Sequence, residues 1–343
     1  MVLIYKCPNC GGNMTFDPEK QLLHCDYCGN ECKVEDVEVE EKKEPEDEVL
    51  NNTKVYECPN CGAEIVTDEY TAATYCAYCG TATILSDRLS NVIKPQSVIP
   101  FKYDRDFALD KIKKWCHGGL FTPSDFLNAN NIQKLSGIYV PFWLYDFKTN
   151  ADLKADCTKV RSYTKGDYRY TETSHYMVTR NIDAEFNRIP LDSSIKMDDE
   201  LMAKLEPFNY SGLKDFEMGY LSGYMAEKFN YKSEDLIEKA RKEAKDGAYN
   251  VARNDIIGYS SINVIHRNET AQSTKIEYSL LPVWLYNYTY KGKEYVFAMN
   301  GQTGKIAGKP PISTSKAIIV FVTLFIAILL IVYILVYALG GGF

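Results

Sequence analysis

The chain has 343 residues, a formal net charge of −7 and 45% apolar residues, a globular composition with room for two or three domains. Residues 33–50 hold nine acids and three lysines, a net of −6, so the remainder is close to neutral. With formal charges of −2 over 1–32 and −3 over 54–88, neither segment offers a basic footprint to a phosphate backbone, which argues against nucleic acid as the partner.

In chain order the first signal is a repeat. Cys7, Cys10, Cys25 and Cys28 return 51 residues later as Cys58, Cys61, Cys76 and Cys79, and the flanking Tyr-Lys-Cys-Pro-Asn-Cys-Gly returns as Tyr-Glu-Cys-Pro-Asn-Cys-Gly. Met1–Tyr5 lacks the basic start and apolar core of a secretory signal, so the eight cysteines are expected in a reducing cytosol, as thiolates available to metal. Four sulfurs from two C-x-x-C-Gly knuckles suit a closed tetrahedral site, and closed four-cysteine sites are structural. The spacing therefore predicts two structural Zn2+ ions in two small β ribbons, 1–32 and 54–88. Each ribbon is too short to bury its own core, and metal binding supplies the missing stability. Cys32 aligns with Thr83 and His24 with Tyr75, so neither is expected to bind metal. Between the ribbons, the acidic stretch 33–53 reads as a flexible linker.

From 89 to 309 the pattern is that of an α+β domain with an antiparallel sheet. Arg105–Cys116 places Phe107, Ala108, Ile112, Trp115 and Cys116 on one helical face. Phe216, Tyr220, Leu221, Tyr224, Met225 and Phe229 suggest a second amphipathic helix, and Ser233 a cap for a third. Strands are predicted at 138–147, 168–180, 256–265, 275–290 and 294–299, closed by a tight turn at Gly301–Gly304. A second repeat, Pro141-Phe-Trp-Leu-Tyr145 and Pro282-Val-Trp-Leu-Tyr286, is read as a pair of core strands. A juxtamembrane linker, 310–316, leads to an uncharged apolar run at 317–339. As a helix that run spans about 34 Å, enough for a hydrocarbon core of about 30 Å. Lys305, Lys309 and Lys316 precede it and no charge follows, so the chain is expected to be a single-pass, C-terminally anchored cell-membrane protein with its N-terminal bulk cytoplasmic.

No constellation of nucleophile, base and orienting group stands out. Cys116 and His117 are adjacent, and neighbours on a helix do not face each other. Cys157 reads as a small buried residue. No Walker A loop, dinucleotide fingerprint, H-E-x-x-H or G-x-S-x-G occurs, and the chain is not expected to be an enzyme.

Cys-Pro-Asn-Cys-Gly followed by Cys-x-Tyr-Cys-Gly resembles the TFIIB-type zinc ribbon. Val98–Phe101, Leu135–Tyr145, Glu206–Phe208 and Tyr220–Tyr224 extend a resemblance to bacterial, mostly firmicute, membrane-associated tandem zinc-ribbon proteins. Such proteins are often labelled helicase-like, but this sequence has no helicase motif. The resemblance implies work beside SPFH or flotillin-like proteins and phage-shock PspA-like proteins in envelope stress. The reading is a membrane-anchored adaptor that binds cytosolic proteins, held in the lipid bilayer through 317–339. The alternatives are a tethered nucleic-acid binder and an enzyme with an unrecognised site in the α+β domain.

Overall fold

A computed structural model describes residues 2–37, 40–42, 53–90, 94–126 and 135–340. The N-terminal part runs β1 (Val2–Ile4), β2 (Met14–Asp17), β3 (Leu22–Cys25), β4 (Glu31–Cys32), β5 (Glu40–Lys42), β6 (Thr53–Glu57), β7 (Glu64–Asp68), β8 (Thr71–Tyr75), β9 (Ala82–Leu85) and helix α1 (Ser86–Ser90). There follow β10 (Ser97–Val98), α2 (Arg105–His117), β11 (Leu135–Lys165), β12 (Tyr168–Asp192), α3 (Asp199–Leu205), β13 (Lys214–Asp215) and β14 (Met225–Glu227). The chain ends with α4 (Ser233–Asn254), β15 (Ser261–Tyr290), β16 (Lys293–Asn300), β17 (Ile306–Gly308) and α5 (Thr314–Gly340).

Three strands dominate. β11, β12 and β15 hold 31, 25 and 30 residues, and β11 lies between the other two, antiparallel to both. At about 3.3 Å per residue, such strands extend about 80–100 Å. They form an arm whose far end, Lys165 paired with Tyr168, is a two-stranded hairpin. One face of the arm is covered by α4. Its buried Ala240, Ala244, Ala248 and Ala252 repeat every four residues, and Ala248 and Ala252 lie close on Ala151 and Leu153; past the helix end, Ile256 covers Ala155 and Cys157. The helix starts where the Asp235 carboxylate accepts from the Lys232 N–H at 2.9 Å, one residue before the Ser233 cap expected from sequence.

The α+β domain carries a mixed sheet rather than the antiparallel one expected. β10 joins β15 and β14 joins β11 in parallel, because both short strands return to the sheet through long crossings. The helix expected over Phe216–Phe229 is instead a turn at Met218–Leu221 between β13 and β14. Gly223 breaks it at a φ of 89°, and the aromatic residues that mimic a helical period point into the core from irregular backbone. The strands predicted at 256–265 and 275–290 belong to one strand, β15, which begins at Ser261. The Gly301–Gly304 turn is present, with the Gly304 N–H donating to the Asn300 carbonyl at 2.8 Å.

Pro141–Tyr145 lies in β11 and Pro282–Tyr286 in β15, on adjacent strands but out of register: Pro141 stands opposite Leu280 and Tyr145 opposite Ile276, while Pro282 stands opposite Tyr139 and Trp284 opposite Gly137. Both indoles are buried and donate to backbone carbonyls, Trp143 to Tyr231 at 2.8 Å and Trp284 to Tyr103 at 3.1 Å. Phe101 stacks on Tyr224 at 4.2 Å and meets Trp284 edge-on at 5.1 Å, filling the space beneath the ribbons.

The ribbons are built into this sheet. β1 of the first pairs with β9 of the second, and β8 of the second pairs with β14 of the domain. The stretch 33–53, expected as a flexible linker, is ordered where it is described. Val34 is buried against Gly219, whose hydrogen leaves room that a Cβ would fill at 2.6 Å, and β5 pairs with β1. Val37 packs partly buried against the same core, and the acidic composition masks both anchors; residues 38–39 and 43–52 lie outside the described residues.

Candidate metal centres

Each ribbon brings its four cysteines together. The Cys7/Cys10/Cys25/Cys28 sulfurs all lie within 4.8 Å of one another, as do those of Cys58/Cys61/Cys76/Cys79. Within the groups, Cys7 and Cys28 are 3.5 Å apart, Cys10 and Cys25 3.6 Å, and Cys58–Cys79 and Cys61–Cys76 both 3.7 Å. A disulfide would need about 2.05 Å. Four sulfurs at about 2.3 Å from a central ion would stand about 3.8 Å apart at the corners of a tetrahedron. The groups therefore have the size and the donor chemistry to hold one ion each.

One piece of backbone, used four times, sets this geometry. The N–H of Gly11, Gly29, Gly62 and Gly80 donates to the carbonyl of Cys7, Cys25, Cys58 and Cys76 at 2.8 to 2.9 Å. Each glycine sits at a φ of 72–74°, where a side chain would be strained. The first cysteine of every knuckle then donates its own N–H across the turn, Cys7 to Gly12 at 2.7 Å and Cys76 to Thr81 at 2.9 Å. Both sulfurs of a knuckle are thereby aimed at one point. In each pair one cysteine is buried and one exposed, so the centres lie at the surface with one side against the protein.

Polar hydrogens surround the sulfurs. Asn9 donates to Cys28 at 3.8 Å, Asn60 to Cys79 at 3.7 Å and Asn30 to Cys7 at 3.6 Å. Such donors offset the negative charge of four thiolates around a divalent ion. They also favour the thiolate over the thiol at the sulfurs that accept from them. The Thr81 hydroxyl and N–H, with Asn60, hold Cys79 down at about 5. Desolvation raises Cys7, but the N–H groups of Asn9 and Cys10 and the Cys28 thiol outweigh it and bring it to about 6.

Cys32 and His24 stand outside both groups. Cys32 accepts from Asn30 at 3.3 Å, and His24 Nδ1 lies 3.6 Å from Glu31. Cys116 is buried under α2 and burial pushes its thiol up to about 12, away from nucleophilic use. Cys157 is buried with Ala155, Val178 and Ile256, just past the end of α4. Tyr27 and Tyr78, which sequence reasoning passed over, occupy the same place in the second knuckle of each ribbon and are 86% and 78% exposed. The repeated Cys-x-Tyr-Cys carried that signal.

Among the described residues one helix, Thr314–Tyr337, is long and apolar enough to cross a membrane. The chain thus combines two four-cysteine groups of the size and chemistry to hold a metal ion, a mixed-sheet domain with a long arm, and a C-terminal apolar helix. It belongs to the family of the uncharacterized protein YdjG of Bacillus subtilis (strain 168), to which it is 42% identical over 345 residues covering the whole of both chains. No protein-family profile and no solved structure matches it.

Proposed function

We propose that this protein is a membrane-anchored zinc-ribbon scaffold that holds cytosolic proteins at the bacterial membrane, with two structural Zn2+ ions keeping its ribbons folded. Closed sets of four thiolates favour zinc among the common divalent ions. The lysines before the apolar helix favour a cytoplasmic bulk.

One observation carries the adaptor reading: the face of the arm opposite α4. Lys148, Asn150 and Asp152 of β11 lie beside Glu185, Asp183 and Asn181 of β12 and beside Gln272, Thr270 and Asn268 of β15. This is a polar, hydrogen-bonding surface of three parallel rows on a rigid support, suited to a protein face and shaped into an open trough rather than a closed site. SPFH-type and PspA-like proteins, implied by the family resemblance, are the proposed partners, in envelope stress.

The test is fractionation of cells carrying the full chain or one ending at 313. Truncation is expected to move both the chain and an SPFH-type or PspA-like partner to the soluble fraction. A partner that stays on the membrane when the chain has left it removes the proposal. A second reading, single-stranded nucleic acid on the ribbons, draws on Tyr27 and Tyr78, since exposed aromatic rings stack on bases. The acidic charge of both ribbons opposes it. Salt-sensitive binding of a labelled oligonucleotide, lost on Tyr27→Ser with Tyr78→Ser, would favour it.

A further inference from the structure

The C-terminal end of α2 turns into a loop that meets the base of the apolar helix. The Ser313 N–H donates to the Phe121 carbonyl at 2.7 Å, and the Lys316 ammonium donates to the Thr122 carbonyl at 2.7 Å. The loop is tightly made. The Gly118 N–H closes α2 on the Lys114 carbonyl at 2.9 Å, and the Thr122 N–H returns to Gly119 at 3.1 Å. A Cβ on Gly119 would fall 2.3 Å from the Thr122 hydroxyl, so the turn needs glycine there.

This rigid turn presents its apolar side chains outward. Leu120 is 65% and Phe121 38% exposed, and Ile312, on the segment entering the helix, is 71% exposed. Single exposed apolar residues need no explanation, but these three flank the start of a helix that is apolar on every side. Lysines lie in the same two segments: Lys114 in the last turn of α2, paired with Asp110 at 2.7 Å, and Lys316 itself. Apolar side chains at acyl depth with cations at the phosphate level are the pattern of a segment lying in a membrane interface.

We infer that the Gly118–Thr122 turn is a second membrane contact, with Leu120 and Phe121 buried in the lipid interface beside the point where α5 enters. This rests on the reading of Thr314–Tyr337 as a membrane span. With two points of attachment, the domain cannot pivot freely on the helix, and the arm keeps a fixed tilt to the bilayer. The ligand is the lipid surface itself, preferentially anionic.

Tryptophan quenching tests this on the full chain. Trp143 and Trp284 are buried, and Trp115→Phe removes the third tryptophan as background. In that background Leu120→Trp, Phe121→Trp and, as a distant control, the exposed Ile257→Trp are each reconstituted into phosphatidylglycerol–phosphatidylcholine vesicles. A fraction of the lipids carries bromine near the headgroup end of the acyl chains. Leu120→Trp and Phe121→Trp are expected to emit at shorter wavelength than Ile257→Trp and to lose at least half of the added emission to the brominated lipid, with Ile257→Trp unaffected. Water-like, unquenched emission from both loop variants, in a chain that resists carbonate extraction, overturns the inference and leaves the span standing. Removal of the chain by carbonate overturns the span reading, and the inference with it.

Discussion

The Ser222 hydroxyl donates to the Met14 carbonyl at 2.7 Å, joining residues 208 apart in sequence, and the Phe16 N–H answers by donating to the Ser222 carbonyl at 2.9 Å. Phe16 also meets Tyr220 edge-on at 5.2 Å, and the Tyr75 hydroxyl of the second ribbon donates to the Gly223 carbonyl. Both ribbons are therefore docked on the Tyr220–Glu227 segment. Ser222→Ala leaves the buried Met14 carbonyl without this donor, at a cost of about 1–2 kcal/mol. The expected outcome is a lower urea midpoint with an unchanged metal content; a variant that unfolds at the parent's midpoint would show that the ribbons are not held by this contact.

Metal stoichiometry tests the two centres directly. The full chain is expected to carry two ions, Cys25→Ser one, and Cys25→Ser with Cys76→Ser none, by elemental analysis. Because β1 pairs with β9 and β8 with β14, stripping the metal should loosen more than two small lobes. Amide hydrogens of β14 are expected to exchange faster in the metal-free protein, whereas those in the middle of β11 should keep their protection. Full retention of β14 protection after chelation would mean that the ribbons fold without their ions.

The knuckle glycines give a graded version of the same experiment. Gly29 has a φ of 72° with nothing within 4 Å of its missing Cβ, so Gly29→Ala meets no clash and only backbone strain, about 1 kcal/mol. Chelator competition is expected to show metal affinity down about fivefold at the first centre and unchanged at the second.

The metal sites and the apolar helix were legible in sequence because each is a local signal: fixed spacing in one, continuous apolarity in the other. The sheet was not. Strand prediction needs a buried and an exposed face in alternation, and over His266–Thr274 the partner covering β15 is α4, whose buried alanines, Ala240 to Ala252, are distant in sequence. The stretch reads as polar, and one strand of 30 residues was divided into two. In the first centre Cys7 and Cys25 were recognisable from their spacing, but that Phe16 and Ser222 would lock the ribbon to the domain is a tertiary fact without a sequence period.

The fit of α4 on the arm makes a packing prediction. A Cβ on Gly247 would stand 2.7 Å from the Phe186 ring, and Ala248 is buried against Ala151 and Leu153. Ala248→Leu inserts three carbons into a closed contact and is expected to destabilise by about 1–3 kcal/mol. Hydrogen exchange should rise in α4 and in β11 beyond Thr149, with metal content unchanged. If the thermal midpoint does not fall, α4 is not seated as described.

Two buried carboxyls give the stability a pH dependence of unusual sign. Desolvation raises Asp192 to about 7; the Ser194 N–H works against it, and Asp199 and Glu227 add to it. Desolvation, with Glu243 nearby, raises Glu206 to about 7 as well, against Lys305. Asp192 Oδ2 is buried without a hydrogen-bond partner. In the unfolded chain these groups ionise near 4, so between about pH 4 and 7 the folded state binds more protons. Stability then falls as pH rises through that window and levels off above it, the reverse of an ion-paired carboxylate. From pH 5.5 to 7.5 each group is expected to cost on the order of 1–2 kcal/mol. Thiol protonation, which weakens metal binding, acts at the acid end and works in the opposite direction. Asp192→Asn separates the two effects, because it keeps the side-chain shape and cannot ionise. Its thermal midpoint should match the parent's at pH 5.5 and exceed it at pH 7.5. Midpoints that stay parallel across the range would mean that Asp192 is charged in the folded protein and that its pH dependence comes from elsewhere.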